Sequence, residues 1–208
     1  MRRLSTILAA AGLTMAVAAC GGDGPTGSNS GDELTQTEIQ ALFNELGVAM
    51  ASLGLGEPPT AGPSASAGSV PFEVDFNQSA ACTEAGTISL RGSVNGNFDD
   101  ETNTGDMSVD LFLDFNACQV SSETTMFTVD GDPEIQFMAD MAFTPTTVSI
   151  DGSQQGGFRF TTADGRTGSC AIDLTFSSSV NSETSEVSQS VSGTVCGQSA
   201  AVFEPVAL

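Results

Sequence analysis

The chain has 208 residues and a formal net charge of −21, with 26 aspartates and glutamates against five basic residues. It contains no histidine, tryptophan or tyrosine, and all five basic residues are arginines. This composition excludes histidine-based triads, lysine nucleophiles and histidine-ligated metals. The strong negative charge disfavours nucleic acid and anionic lipid headgroups as partners.

The first 20 residues have the layout of an export signal. Two arginines precede an uncharged, mostly apolar segment over residues 4–19, which is shorter than the roughly 20 apolar residues of a spanning helix. The segment ends in VAAC, residues 17–20, in which an aliphatic residue and two small residues precede a cysteine. This pattern resembles the lipobox of bacterial lipoproteins.

The lipobox resemblance implies that residues 1–19 are removed as a signal peptide and that Cys20 is the lipidated residue. In that family the thiol receives a diacylglycerol and the new amino terminus is acylated. Each buried methylene contributes about 0.8 kcal/mol, so several acyl chains anchor a protein stably in a membrane. Gly21 stands where an aspartate would signal inner-membrane retention, which favours the outer membrane in a cell with two membranes. Secretion after cleavage at Ala19 is the alternative.

Two polar segments have the composition of linkers. Residues 20–31 are rich in Gly, Ser and Pro and predict a flexible tether after the lipidated cysteine. Residues 55–69 have a similar composition and predict a second linker. The folded part of the chain is therefore expected to stand away from the bilayer without spanning it.

Residues 32–54 predict one amphipathic helix. Thr35 and Glu38 have the spacing of a capping box, and Leu34 with Ile39 suits a hydrophobic staple around it. The polar face carries acids instead of Lys or Arg, which favours packing on the protein's own sheet over lying on a membrane. Helical spacing relates the apolar residues Ile39, Leu42, Phe43, Leu46, Met50 and Leu53.

Residues 70–208 predict a single mainly β domain, because the apolar period changes to two. We expect an antiparallel meander of about nine short strands, forming a barrel or a strongly curved sheet with one apolar face. The segment DGSQQGG at 151–157 and the pair Asp164-Gly165 predict turns, and the latter is the strongest hairpin signal. Phe112 falls on the polar face and is expected under the helix or a loop. The strands are expected at 70–76, 88–94, 107–115, 135–143, 148–150, 158–160, 172–176, 187–195 and near Val202.

Four cysteines remain once Cys20 is assigned to lipid, and in an exported domain they predict two disulfides. Pairing of sequence neighbours is expected, because each pair brackets strands that return antiparallel. These pairs are Cys82–Cys118 and Cys170–Cys196. Strict alternation of side chains along the strands places the two cysteines of each expected disulfide on opposite faces of the sheet. Either bulges correct this parity, or the nested pairs Cys82–Cys196 and Cys118–Cys170 close the sheet.

Acidic turns are weak candidates for a calcium site. One turn region contains Asp99, Asp100 and Asp106, and a second contains Asp130 and Asp132. Oxygen-rich loops of this kind can bind calcium. No spacing matches an EF-hand, and turns need Asp, Asn and Gly for backbone reasons alone, so we expect neither a metal nor a cofactor.

These features favour a non-enzymatic, lipid-anchored protein of the cell envelope that acts as a binding or structural module. Its expected partner is the membrane, through the acyl chains on Cys20, and the sequence does not identify a protein or hydrophobic ligand. The alternative is a carrier that holds a lipid or another hydrophobic ligand in an apolar cavity of the curled sheet. A carboxylate-dependent hydrolase ranks third, because carbohydrate sites usually use the Trp and Tyr platforms that this chain lacks.

Replacement of Cys20 tests the anchor. Cys20→Ala should abolish labelling with a fatty-acid analogue and move the protein out of the membrane fraction, because the thiol is the expected acyl acceptor. Ser28→Ala, in the same tether, is the control and should keep both properties. Labelling that survives Cys20→Ala would contradict the lipobox prediction.

Overall fold

A computed structural model of the chain describes residues 31–51, 53, 69–122 and 125–200. The lipobox, the expected linker up to residue 68 and the strand expected near Val202 lie outside the described residues. The described elements are α1 (Gln36–Ala51), β1 (Val70–Ala81), β2 (Ala85–Asp99), β3 (Thr104–Ser121), β4 (Met126–Gly131), β5 (Ile135–Phe143), β6 (Thr147–Thr162), β7 (Thr167–Asn181), β8 (Glu186–Val195) and β9 (Gln198–Ser199).

All nine strands belong to one antiparallel sheet. β4 and β5 occupy the same position between β3 and β6: each of these two long strands pairs with β4 at one end and with β5 along the rest. In the described part of the chain the sheet ends at β1 on one side and at β8 and β9 on the other. The predicted mainly β fold, a curved antiparallel sheet or barrel with one helix, is confirmed.

Several strand boundaries differ from the prediction. Residues 148–150 and 158–160 belong to the single strand β6, and the expected turn DGSQQGG lies inside it. This segment stays extended because it is paired on both sides, with β5 and β7. The apolar pattern missed β4, whose six residues include only two buried side chains. The long strands β2, β3, β6 and β7 contain 15 to 18 residues and are not short as expected.

Two hairpin connections follow the sequence signals. Gly165 has a φ of 87° in the loop that joins β6 and β7, as expected for the Asp164-Gly165 pair. The loop is closed by a hydrogen bond from the Thr162 N–H to the Arg166 carbonyl, at 2.9 Å. The turn between β2 and β3 is an Asx turn, in which the Asp99 carboxylate accepts the N–H groups of Glu101 and Thr102.

The helix begins with the predicted capping box. The Thr35 N–H donates to the Glu38 carboxylate at 2.8 Å, and the Glu38 N–H donates to the Thr35 hydroxyl at 3.3 Å. The staple residues Leu34 and Ile39 are both buried. These contacts satisfy amide groups that the first turn of a helix leaves without partners.

The apolar side of α1 packs on the sheet and forms the core with it. Ile39, Leu42 and Phe127 have no exposed side-chain surface, and the ring centroid of Phe43 lies 6.1 Å from that of Phe158. Each large apolar side chain removed from water contributes about 1.5–3 kcal/mol. The prediction that the helix packs on the protein's own sheet is therefore confirmed.

The two predicted disulfides of sequence neighbours are present, Cys82–Cys118 and Cys170–Cys196. The register between β2 and β3 shifts by one residue beside Ala117, which has a φ of 45°. This bulge rotates Cys118 to the apolar face, so the parity objection to the first pair is removed. Cys196 reaches its partner from the turn after β8, where its own φ is 50°.

Glycines on the apolar face allow the long strands to approach and bend. Gly92, in β2, has a φ of 136°, and a Cβ atom there would lie 2.0 Å from the Asp110 carbonyl oxygen. Gly156, in β6, has a φ of 126°, and a Cβ atom would lie 2.2 Å from the Glu134 carbonyl oxygen. A side chain is therefore excluded at both positions by backbone conformation and by contact.

Two glycine-to-alanine substitutions test this constraint with opposite expected signs. Gly92→Ala should lower the free energy of unfolding by about 2 kcal/mol or more, because φ and contact both oppose a Cβ atom. Gly47→Ala should raise it by about 0.5–1 kcal/mol, because this helical position has no heavy atom within 4 Å of a built Cβ. Urea denaturation measures both, and a Gly92→Ala chain as stable as the wild type or more stable would contradict the proposed role of Gly92.

Candidate functional site

The register of the sheet aligns the apolar side chains into rows that cross all the long strands. One row lies at the ends of the strands that are farthest from the disulfides. Directly paired residues make it continuous from β1 to β8: Val70, Phe98, Gly105, Phe143, Val148, Val180 and Val187. This row and the neighbouring Phe72, Met107 and Val191 are called the open apolar surface below.

The open apolar surface is accessible to solvent. Phe98 is 44% exposed and Val187 is 60% exposed. On the same face, near the helix, Ile88 and Phe158 have no exposed surface. Along β2 and β6, burial on this face is therefore greatest at the end that carries α1 and both disulfides.

Element lengths explain why the helix leaves this surface open. A helix of 16 residues is about 24 Å long and about 10 Å wide. Strands of 15 to 18 residues are about 50–60 Å long. One helix of this size covers only part of such a face. The alternation of apolar residues in β6 was visible in the sequence. The turn predicted at residues 151–157 divided this strand into two short strands, and this concealed its length.

A shallow cavity lies within the open apolar surface. Its volume is about 240 Å³, and it is lined by Phe72, Asn97, Phe98, Asp106, Met107 and Phe143. Pockets that enclose small-molecule ligands usually measure about 300–1,000 Å³. The cavity is therefore suited to one apolar side chain or part of an acyl chain, and it does not enclose a whole ligand of that size.

Two stacked rings fill the apolar face between the open and covered parts. The ring centroids of Phe137 and Phe176 lie 5.4 Å apart, with an interplanar angle of 19°. Phe176 also lies over Gly152 of β6, where a Cβ atom would come within 2.5 Å of the ring. The absence of a side chain at Gly152 is thus what allows the two rings to meet across β6.

An ion-pair cluster fixes the helix to the loop between β6 and β7. Arg166 pairs with Glu38 at the start of α1 and with Asp164 of its own loop, the latter at 3.0 Å. A hydrogen bond from Arg166 is the main reason that the pKa of Glu38 is lowered to about 2. Partial burial acts against this shift, and the hydrogen bonds with Thr35 act in the same direction as Arg166. Hydrogen bonds from Thr162 and Arg166 lower the pKa of Asp164, and Glu38 and Asp164 raise the pKa of Arg166.

The opposite face of the sheet is polar, and two of its central acids accept hydrogen bonds from neighbouring strands. Asp110 accepts a hydrogen bond from Gln136 at 2.8 Å, and Asp140 accepts one from Ser108 at 2.6 Å. Phe112 is an apolar residue on this face, and the Arg91 guanidinium lies over its ring, 4.4 Å from the ring centroid. The expectation that the helix covers Phe112 is wrong, because α1 packs on the apolar face. A cation–π contact with the neighbouring strand shields the ring.

The acidic turns do not form a shared site in the described residues. Asp130 accepts the Ala117 N–H at 2.8 Å, and Asp132 pairs with Arg159 at 3.2 Å. The Asp99 carboxylate serves its own turn, and Asp100 and Asp106 lie in or beside the same connection. Within the described ranges no three His, Cys, Asp or Glu residues are placed to hold a metal ion.

Cys20, the residue expected to be lipidated, lies outside the described residues. In the part of the chain that the structure covers, no helix is long and apolar enough to cross a membrane. Comparison with protein-family models, with curated proteins and with solved structures gave no match. The arguments about function therefore come from the sequence pattern and from the geometry of this chain.

The Glu38 contact makes stability depend on pH in a defined window. Because its folded pKa is about 2 and its ordinary value is 4.5, ionised Glu38 contributes about 3 kcal/mol above pH 4.5. This contribution should disappear as the pH falls through about 2. Denaturation of the wild type and Glu38→Gln at several pH values should show a difference that shrinks in this window.

A second helix acid provides the control for this titration. Glu45→Gln removes one negative charge from the same helix. It leaves the contact between Glu38 and Arg166 in place. Its unfolding free energy should follow that of the wild type across the same pH range. A constant difference between Glu38→Gln and the wild type from pH 6 to pH 2 would contradict the role of the ion pair.

Proposed function

We propose that this chain is a lipid-anchored, non-enzymatic binding module of the bacterial cell envelope, which holds an apolar partner on the open apolar surface. The observation that supports this proposal is the exposed row from Val70 to Val187. Contiguous apolar patches are rare on soluble monomers, and they often mark binding surfaces. The core side chains under α1 do not need this row for their own burial.

The anchoring part of the proposal rests on the VAAC sequence and the apolar segment before it. Loss of residues 1–19 would leave three arginines against 26 acids. Such a surface is repelled by anionic headgroups, so acyl chains are a more effective attachment than charge. The Gly21 position favours the outer membrane of a diderm cell as the destination.

The non-enzymatic part of the proposal rests on the chemistry of the available side chains. Four cysteines are held in disulfides, and the chain has no histidine, lysine or tyrosine. A carboxylic general acid needs a raised pKa. Glu38 and Asp164 instead have lowered pKa values, and both serve a contact with Arg166.

A carrier of a lipid or other hydrophobic ligand is the second candidate, and the apolar cavity beside Phe72 and Phe98 favours it. The space beneath α1 is filled by side chains without exposed surface. The helix therefore does not serve as a lid over an empty chamber in this proposal. A carried ligand would lie along the open apolar surface, far from the helix.

Matched substitutions on the two faces of the sheet test the proposed surface. The double variant Phe72→Ser/Phe98→Ser should lower the affinity for an environment-sensitive apolar dye at least about tenfold, because each buried phenylalanine contributes about 1.5–3 kcal/mol. Met138→Ser is the control, since Met138 is 38% exposed, similar to Phe72 at 37%, but lies on the polar face. It should leave the affinity within about twofold.

Native mass spectrometry of the Cys20→Ala chain, purified from an envelope extract, separates the two candidates. Co-purified lipid that is lost in Phe72→Ser/Phe98→Ser and kept in Met138→Ser would favour the carrier. Dye binding that depends on Phe72 and Phe98, with no retained lipid, would favour the binding module. Equal dye binding by all three chains would contradict both.

A further inference from the structure

The two long edges of the sheet differ in their protection against pairing. Pro71, Glu73 and Asp75 lie on β1. A proline lacks an N–H group, and charged side chains on an edge oppose the addition of another strand. β8 has neither feature from Val187 to Val195, and its residues are exposed up to Thr194. It is a long, uncharged edge on a chain of net charge −21.

The backbone of β8 offers hydrogen-bonding groups along this edge. In the described part of the chain β8 pairs with β7, and with β9 only at Thr194 and Val195. The Cys196 N–H donates to the Ala171 carbonyl of β7 at 2.8 Å. Because backbone directions alternate along a strand, the groups of Gln189 and its alternate neighbours point away from β7.

We propose that this edge binds a second copy of the chain, through antiparallel pairing of β8 with β8 about a two-fold axis at Gln189. In this register Val187 lies opposite Val191 of the partner subunit, and Ser188 lies opposite Ser190 of the partner subunit. Both faces of the strand are then self-complementary, as a two-fold interface requires. The directly opposed valines form cross-strand pairs of the kind that stabilise sheets.

Burial favours a second copy as the occupant, and charge restricts where on the surface that copy can approach. Two molecules of net charge −21 repel each other over most of their surfaces, and the segment from Val187 to Val195 is where they approach with the least repulsion. Pairing covers Val187 and Val191, which are 60% and 47% exposed. It also joins the apolar faces of the two sheets into one continuous surface.

The contact is small, because one strand edge contributes it. Interfaces below the standard size of about 800 Å² per partner are usually weak or transient. Attachment of both copies to one membrane, which rests on the proposed anchor, would raise their effective concentration. The dimer is therefore expected on the membrane at ordinary expression levels, and a cross-link is the appropriate measurement.

Site-specific cross-linking of the full chain in intact cells tests the pairing. Gln189→Cys places a thiol on the proposed two-fold axis, where it meets the same thiol of the second copy. A short bismaleimide should convert this variant into a dimer whose linked peptide joins residue 189 to residue 189. Gln78→Cys is the control, because Gln78 is an exposed glutamine on the same face of the opposite edge strand. It should give at least tenfold less dimer.

A charge placed in the edge provides a second measurement. Val187→Lys, added to Gln189→Cys, should lower the dimer yield about tenfold, because it replaces a valine that faces Val191 of the partner subunit. Met138→Lys is the control, because Met138 is 38% exposed but lies on the polar face of β5, away from β8, and it should keep the yield. If Gln189→Cys does not accumulate, coexpressed Val187→Cys and Val191→Cys chains should form the same dimer.

Several outcomes would overturn the proposal. Equal yields from Gln189→Cys and Gln78→Cys would mean random collisions. No dimer from either variant, in chains that carry the fatty-acid label and are found in the membrane fraction, would mean that the edge does not pair. A cross-link that forms only after removal of residues 201–208 would mean that this segment of the chain occupies the edge. Peptide mapping of both native disulfides verifies that each variant has folded. None of these results depends on the lipid or dye bound by Phe72 and Phe98.

Discussion

The antiparallel register between long strands is the constraint on which the rest of this structure depends. It places apolar side chains on one face along the full length of each strand, both where α1 packs and where it does not. The fully buried Ile88 of β2 and the exposed Phe98 of the same strand lie on this one face. A strand cannot change the direction of its side chains without a bulge. The open apolar surface follows from this regularity and from the size of a single helix.

The contacts that close the core are concentrated at one end of the sheet. Both disulfides, the capping box of α1 and the Arg166–Glu38 pair lie there. Disulfides act mainly by restricting the unfolded chain, and each typically contributes about 2–4 kcal/mol. This end can therefore be stable without assistance from the open apolar surface, which leaves that surface available for a partner. The proposed binding function and the proposed pairing of β8 both use the far end of the sheet.

The two faces and the two edges of the sheet have different chemistry, which limits how partners can approach. The polar face presents acids with local partners such as Asp110 and Asp140. The edge at β1 carries Pro71 and acids, whereas the edge at β8 is uncharged between Val187 and Val195. An acidic partner, such as a second copy of this chain, therefore meets repulsion in most directions. The apolar face and the β8 edge are the directions in which contact exchanges water for apolar surface and backbone hydrogen bonds.

The sequence by itself determined the local features, because neighbouring residues produce them. The Thr35–Glu38 capping box, the alternation that identifies the apolar face and the hairpin at Gly165 follow from spacing and turn chemistry. The four cysteines that follow Cys20 predicted two disulfides, but alternation alone left the pairing open. Only the tertiary structure decided it, since the bulge at Ala117 depends on how β2 and β3 pair. Pairing on both sides likewise kept residues 151–157 in β6 although their composition favours a turn. The extent of the open apolar surface was decided in the same way, because exposure depends on where a distant helix packs and not on the residues that become exposed.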